Sequence, residues 1–204
     1  FGAGSIVSDA HLPAYEQNNL PIIGLYDPDY EKAKALGQKF NISVFKDPAE
    51  AAAIQNCIFD LAIPPSAHHK VLELIPENSA VILQKPMGSN LSEASNILTL
   101  CRKKSLNACV NFQLRFAPMM IALKDIINKG LIGEIVDIDM WAALDTPWNL
   151  WKFLEDLPRV EILLHSIHYF DAIRFLVGNP HGVHAKTMGH PASKISNTRT
   201  AAIL

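Results

Sequence analysis

Two features near the start of the sequence have the residue types and spacing of a nucleotide-binding turn. Gly2-Ala3-Gly4 can bring the backbone close to a pyrophosphate at a helix N-terminus, although Val7 stands where a third Gly or Ala is usual. Asp27 lies 23 residues past Gly4, and an acidic residue there can accept both ribose hydroxyls of an adenosine. The spacing predicts a dinucleotide site with contacts from these residues: Gly2, Gly4, Ser5, Ile6 and Asp27.

The charges around Asp27 favour one form of that dinucleotide. A 2′-phosphate would be repelled by Asp27 and Asp29, and no Arg or Lys stands beside them before Lys32. We therefore predict NAD as the cofactor, with NADP disfavoured.

A second group of candidate residues follows two apolar, strand-like runs. Lys85 comes directly after such a run and would lie at the carboxyl edge of a parallel sheet, where it can act on a substrate hydroxyl, while Pro86 restricts the turn. The loop Pro64-Pro65-Ser66-Ala67-His68 is predicted at the same edge, and Pro64, Pro65 and Lys85 are expected to contact the cofactor. His68 either contacts the cofactor or caps the helix that follows.

A mostly apolar helix around residue 165 carries the other candidates. Glu161, His165, His168 and Ala172 share one face at helical spacing, which predicts a stripe facing a polar cleft. Asp171 could orient the His168 imidazole or cap a neighbouring loop. Two alternatives stay open: the histidines are buried core residues, or Glu161, His165 and His168 bind a metal. We predict no metal site.

The elements that must position these residues alternate between strands and helices in the first half of the chain. Strands are predicted over 21–26, 42–45, 59–63, 80–83 and 108–112. Helix starts are predicted at Asp47-Pro48 and at Asn90 with Glu93. Strands alternating with helices indicate an α/β fold with a parallel sheet, in this case a Rossmann domain whose first strand is missing, with Phe1 at most its last residue.

After residue 112 the pattern changes to that of an α+β domain. It predicts helices over 118–128 and 160–177, and strands over 134–142, 183–188 and 198–204, the last an apolar run without a following turn. We expect a sequence shortened at both ends.

Composition narrows the class of protein. The chain has 204 residues, 49% of them hydrophobic and 19% charged, with a net charge of −2 and scattered lysines, so a nucleic-acid partner is not expected. No apolar run approaches the length of a membrane span, so no membrane partner is expected. Cys57, Cys101 and Cys109 lie in apolar stretches and are predicted to be reduced core thiols, as in a cytoplasmic protein.

The order of short motifs along the chain resembles that of the glucose-fructose oxidoreductase / inositol dehydrogenase (Gfo/Idh/MocA) family. The resemblance covers nearly the whole chain. It is carried, in order, by Gly2-Ala3-Gly4, His11-Leu12-Pro13-Ala14, Asp27-Pro28-Asp29, Pro64-Pro65-Ser66-Ala67-His68, Gln84-Lys85-Pro86, the run from Gln113 to Pro118, that from Gly130 to Ile135 and that from His165 to Asp171.

The resemblance implies a Rossmann domain over residues 1–113 and an α/β domain over residues 114–204 that holds a large, open, mainly antiparallel sheet. It also implies hydride exchange between a nicotinamide and a sugar, polyol or related hydroxyl compound. Lys85 matches the lysine that contacts the substrate hydroxyl, His168 the histidine placed as acid or base, and Arg115 an interdomain arginine that we expect to contact the cofactor. The same resemblance implies a homodimer or homotetramer.

Two departures from the family pattern affect the expected chemistry. Gln84 replaces the Glu before the lysine, which removes a charge that would favour protonated Lys85, and Gln84 is also expected to contact the cofactor. Leu164 stands where many members carry an Asp, and His165 is its nearest polar substitute in catalysis and substrate binding.

Three functions remain open at this point. The leading one is an NAD-dependent dehydrogenase acting on a CH–OH group. The others are a non-catalytic NAD-binding regulator and an NAD-using lyase, glycosidase or dehydratase. Trp148 and Trp151 could stack on a sugar ring or pack in a loop core or interface.

Overall fold

The structure is a computed structural model that describes residues 1–144, 146, 154, 159–189, 191, 195 and 197–204. It divides into two compact units, Phe1–Asn111 and Phe112–Leu204. Among the described residues, no helix has the length and apolar character needed to cross a membrane.

The first unit is a parallel sheet flanked by helices. The strands β1 (Ile58–Leu61), β2 (Ala80–Leu83) and β3 (Asn107–Val110) pair in that order, with Ile58 opposite Ala80 and Ala80 opposite Asn107. The helices that accompany them are α1 (Leu12–Gln17), α2 (Tyr30–Phe40), α3 (Pro48–Ala52), α4 (Pro65–Leu74) and α5 (Leu91–Lys103).

Phe1 and Gly2 extend this sheet beyond β1. The carbonyl of Phe1 accepts the N–H of Ala62 at 2.9 Å, and the N–H of Gly2 donates to the carbonyl of Tyr26 at 2.7 Å. Phe1 therefore occupies the position expected for the last residue of a strand between β1 and the segment at Tyr26.

The two strands predicted at 21–26 and 42–45 are wrong in extent. Each is reduced to one residue of a parallel bridge between Leu25 and Val44. In the described part of the chain, the two segments are joined by backbone hydrogen bonds from Leu25 N–H to the Ser43 carbonyl and from Phe45 N–H to the Leu25 carbonyl, both 2.9 Å long.

Helix starts followed the local signals in the sequence. The Asp47 carboxylate accepts the N–H of Ala49, and the Asn90 side chain accepts that of Glu93 at 2.9 Å, which confirms both predicted N-caps. The Glu93 carboxylate accepts the N–H of Ser89 at 2.8 Å and so completes a capping box one residue earlier than the usual form.

One core cluster of the first unit lies where the sheet packs against α4 and α5, and a second lies around α1 and α2. Burying each large aliphatic side chain there stabilises the fold by roughly 1.5–3 kcal/mol. The first cluster consists of Ala52, Phe59, Leu61, Leu72, Ile75, Val81, Leu83, Ile97 and Cys101.

The cysteine prediction is only partly right. Cys101 is buried and Cys57 is half-buried, but Cys109 is exposed. Side chains alternate along β3, so that Ala108 and Val110 pack on the core while Cys109 lies on the opposite face.

The second unit contains α6 (Pro118–Asn128), α7 (Ile167–Val177) and an antiparallel pair formed by β4 (His184–Met188) and β5 (Arg199–Ile203). A π-helical segment, Ile162–Ser166, precedes α7 without a break. A large, open antiparallel sheet was predicted for this unit, and the described residues contain a two-stranded antiparallel sheet.

The strand predicted over 134–142 is absent from the described residues. The segment is irregular, and Val136 in it is 92% exposed. Alternating side chains indicate only a tendency to form a strand, and within the described part of the chain no neighbouring segment pairs with this backbone.

Candidate active site

In the glycine turn, Gly2 is packed against the neighbouring backbone, whereas Gly4 faces open space. Gly2 has φ +103°, and a Cβ there would lie 2.2 Å from the carbonyl oxygen of Ala62, so only glycine fits. A Cβ on Gly4 would have no neighbour within 4 Å. A helical run starts directly after Gly4, and the exposed Ser5 and Ile6 are its first residues. This open helix N-terminus fits the pyrophosphate of a dinucleotide.

Asp27 is tied to the same turn. One carboxylate oxygen accepts the N–H of Ala3 at 2.7 Å, and the other accepts the N–H of Asp29 at 2.8 Å. Each oxygen keeps a further lone-pair direction, so the carboxylate can still accept ribose hydroxyls. Asp29 itself caps α2 by accepting the N–H of Lys32.

Lys85 follows the carboxyl end of β2, as the sequence predicted. Its side chain is half-buried, and burial lowers the pKa of its amine. The Lys85–Pro86 peptide is cis. A lysine with a lowered pKa can take a proton at a pH where an exposed lysine remains charged.

The loop after β1 meets the Lys85 loop through His68. Pro64 and Pro65 open α4, and His68 lies inside that helix, fully buried, with its Nδ1 atom 3.0 Å from the carbonyl oxygen of Met87. Burial lowers the pKa of His68 although this backbone contact opposes the effect. His68 is not a cap for α4, because the helix has no side-chain cap. Cofactor contacts from Pro64, Pro65 and His68 stay predictions.

Asp60, a half-buried aspartate that contacts Gln84, was not among the site residues predicted from the sequence. Asp60 lies on β1, and its carboxylate accepts the Tyr15 hydroxyl at 2.8 Å and lies 2.6 Å from Nδ1 of His11. Its other oxygen accepts Nε2 of Gln84 at 3.3 Å. Burial alone would raise the pKa of Asp60, but His11 and then Tyr15 outweigh it, so that this pKa lies below its usual 3.8. The sequence does contain one signal for Asp60, which is a charged residue inside an otherwise apolar strand.

In the second unit, His168 is buried on α7 and His165 is half-buried in the π-helical segment. The His168 ring meets Phe112 edge-on, with centroids 6.1 Å apart. Glu161 accepts the Ser166 hydroxyl at 2.8 Å, a pairing five residues apart that follows from the wider π-helical turn. The described residues hold no group of three or more His, Cys, Asp or Glu side chains that could hold a metal ion.

The Arg115 guanidinium forms an ion pair with the Asp171 carboxylate. Its Nε atom donates to Asp171 at 2.6 Å and its Nη2 atom at 2.5 Å, a bidentate pair with a carboxylate that is 4% exposed. The guanidinium also lies over the Phe175 ring, 5.5 Å from its centroid. Asp171 thus holds Arg115, and its predicted roles in orienting His168 or capping a loop stay predictions. Arg115 as a cofactor ligand stays a prediction.

Trp148 and Trp151, predicted to contact substrate, lie outside the described residues.

Comparison with known proteins agrees with this geometry. Residues 1–112 match the model of the Gfo/Idh/MocA oxidoreductase family, described as an NAD-binding Rossmann fold. The chain therefore belongs to this family, and its first unit is the family's NAD-binding Rossmann fold.

Two of the curated relatives are dehydrogenases named for a sugar or a glucoside. The chain is 27% identical to D-apiose dehydrogenase of Paraburkholderia graminis, covering 83% of this chain and 46% of that protein. It is 25% identical to D-glucoside 3-dehydrogenase of Escherichia coli, covering 88% of this chain and 53% of that protein. The chain thus spans about half the length of these relatives.

Solved structures share the fold. A putative NADPH-dependent oxidoreductase of Desulfitobacterium hafniense superposes with a TM-score of 0.83 at 17% identity, over 98% of this chain and 60% of that one. An oxidoreductase of Agrobacterium radiobacter in complex with NAD⁺, L-tartaric acid and magnesium gives a TM-score of 0.79 at 23% identity, over 98% and 63% of the two chains.

Proposed function

We propose that this protein is an NAD-dependent dehydrogenase that transfers a hydride between the nicotinamide and a CH–OH group of a sugar or polyol. The observation that carries the proposal is Lys85, a half-buried lysine with a lowered pKa at the carboxyl end of β2 in an NAD-binding Rossmann unit. Sugar dehydrogenases among the relatives support the substrate class.

When bound, NAD would supply the hydride acceptor, and the protein's own residues would hold it and manage the proton. The N–H groups at Ser5 and Ile6 would bind the pyrophosphate, and Asp27 the adenosine ribose. Neutral Lys85 would take the hydroxyl proton of the substrate. His168 would act as the second acid or base, with His165 as its neighbour in substrate binding.

The decisive measurement is a screen of sugars, polyols and lactones with the full-length protein, following NADH absorbance. We expect net NADH formation with at least one hydroxyl compound, and its loss in Lys85→Ala. Lys70→Ala, at an exposed lysine on α4, is the matched control and should keep full activity.

The same screen tests the other functions. A regulator would bind NAD without turning over any substrate, and a lyase, glycosidase or dehydratase would transform its substrate without accumulating NADH. Product analysis by mass spectrometry beside the absorbance trace separates all three.

We also propose a homo-oligomer, a dimer or tetramer, in the cytoplasm. The second unit exposes large apolar side chains, among them Val136 at 92% and Trp141 at 87%, which a second copy could cover. The free cysteines suit a reducing compartment. Light scattering that gave a monomer mass at micromolar concentration would contradict the oligomer.

A further inference from the structure

A row of hydrogen-bonded polar side chains crosses the sheet at the residues that follow β2 and β3. Gln84 is the first residue after β2, and its Nε2 atom donates to Asp60 of β1 at 3.3 Å. Asn111 is the first residue after β3, and its Nδ2 atom donates to Oε1 of Gln84 at 3.2 Å. The side chain of Gln84 is therefore held from both neighbouring strands.

Asp60 sets the direction of every hydrogen bond in this row of side chains. An ionised carboxylate only accepts, so Gln84 must turn its NH₂ group toward Asp60 and its oxygen toward Asn111. For the same reason the Nδ1 atom of His11 must carry the proton in its 2.6 Å contact, and the Tyr15 hydroxyl must donate. A carboxylate at position 84 would instead face the Asp60 carboxylate directly.

The backbone adds to this constraint. The N–H of Gln84 donates to the carbonyl of Leu61, the residue after Asp60, at 3.3 Å. Both the main chain and the side chain of Gln84 are thus bound to β1. Since Lys85 is the next residue, its Cα position follows from where Gln84 is held.

We infer that Asp60 is a positioning residue for Lys85, because it holds the side chain of Gln84 and so fixes the start of the lysine loop. The inference rests on the proposed function for the role of Lys85 in turnover. The neutral Gln84 side chain suits a charged Asp60, because its NH₂ group donates to that carboxylate.

The groups that face Asp60 define what its charge can influence. Among the described residues, the titratable side chains that face Asp60 are those of His11 and Tyr15. Lys85 is the residue after Gln84, so we expect removal of the Asp60 charge to make protonation of Lys85 less favourable and a carboxylate at position 84 to make it more favourable.

The test is a charge exchange between positions 60 and 84 in the full chain. The variants are Asp60→Asn, Gln84→Glu and the double variant Asp60→Asn/Gln84→Glu. In the double variant the new amide at position 60 can donate to the new carboxylate at position 84. The hydrogen bonds across the sheet are then restored, and the negative charge lies at position 84 instead of position 60. Gln55→Glu makes the same chemical change at an exposed glutamine and is the control.

The readout is the acylation of Lys85 by acetic anhydride as a function of pH, quantified by peptide mass spectrometry against Lys70, because only the neutral amine reacts. We expect the midpoint for Lys85 to move to lower pH in Asp60→Asn and to higher pH in Gln84→Glu, each by about half a unit or more. The double variant and Gln55→Glu should stay near the unmodified protein. Melting temperatures, measured in parallel, should fall in both single variants and recover in the double variant.

An unchanged Lys85 midpoint in both single variants, with lowered melting temperatures, would overturn the inference and leave Asp60 a purely structural residue. If Asp60→Asn does not fold, Asp60→Ser provides the neutral replacement, with the same expected direction. The labelling needs no substrate, so it separates this inference from the proposed function. Shifted midpoints in a protein that forms no NADH would leave Asp60 positioning Lys85 and refute the dehydrogenase.

Discussion

The carboxylate of Asp27 accepts the backbone N–H of Ala3 at 2.7 Å, across 24 positions of sequence. The bond joins the acidic residue predicted to bind the ribose to the turn predicted to bind the pyrophosphate. The bond holds the two predicted parts of the dinucleotide site together before any ligand is present, and we expect the charge of Asp27 to disfavour a 2′-phosphate.

Cofactor choice should depend on Asp27. We expect the unmodified protein to bind NAD more tightly than NADP, and Asp27→Ser to narrow the difference by about 1–3 kcal/mol, the scale of hydrogen bonds to a charged group. Isothermal titration calorimetry with both cofactors measures it. Asp29→Asn keeps the cap of α2 and should change the preference less. Equal or tighter NADP binding by the unmodified protein would refute the prediction.

The two glycines of the turn should behave differently. Gly2→Ala would place a methyl group 2.2 Å from the Ala62 carbonyl oxygen at φ +103°, so we expect it to lower the free energy of unfolding by about 3 kcal/mol or more. Gly4→Ala meets no atom within 4 Å and should change stability by less than about 1 kcal/mol. It should nevertheless weaken NAD binding, because its methyl group enters the space we assign to the pyrophosphate. Urea unfolding and fluorescence titration separate the two effects, and NAD affinity unaffected by Gly4→Ala would argue against this placement of the cofactor.

Lys85→Ala and His168→Ala should each lower kcat by roughly 10²- to 10⁴-fold while NAD affinity changes little. Burial lowers the pKa of Lys85, so the rise of rate with pH due to its deprotonation should lie below that of an exposed lysine and disappear in Lys85→Ala. His165→Ala should cost less if His165 only orients its neighbour, and as much if it replaces the missing aspartate at Leu164. Near-full kcat with an unchanged pH profile in Lys85→Ala would refute its role.

Arg115→Ala should destabilise the second unit through Asp171. The substitution leaves a carboxylate that is 4% exposed without its bidentate partner, a change that costs about 3–5 kcal/mol for a fully buried pair. Because the Arg115 side chain is 37% exposed, we expect a smaller loss, about 2–3 kcal/mol. Arg174→Ala, at an exposed arginine on α7 that donates to Asn179, is the control for urea unfolding. A loss for Arg115→Ala no larger than that for Arg174→Ala would contradict the prediction.

Stability in acid should depend on Asp60. Its pKa is lower in the folded state than its usual 3.8, so its charged form stabilises the fold above about pH 4, and this contribution disappears as the pH falls through the folded-state pKa. We expect Asp60→Asn to be less stable at neutral pH and to lose less stability between pH 5 and pH 2. Thermal melts across that range test it, with the exposed Asp9→Asn as the control. Parallel pH curves for Asp60→Asn and the unmodified protein would contradict the assignment.

The sequence by itself determined the features that depend on neighbours along the chain. The bounds of β2 and α6 came out as predicted, because a short apolar run between turn signals and a proline-started periodic segment are local patterns. The caps at Asp47 and Asn90 followed for the same reason. The glycine turn and Asp27 were also found from spacing, since the Rossmann connection fixes how far apart they lie, and the family followed from the order of the motifs.

The tertiary structure alone decided which side chains meet across the fold. Asp60 and Gln84 are 24 positions apart, and Arg115 and Asp171 are 56 apart, so no local pattern could pair them. The segment 134–142 alternates like a strand yet has no pairing partner in the described residues. The π-helical turn brings the Ser166 hydroxyl to the Glu161 carboxylate, five residues earlier in the chain. Each of these outcomes depends on what packs beside the residue in space, because a hydrogen bond or a ladder needs a partner, and the sequence around one residue does not specify where that partner lies.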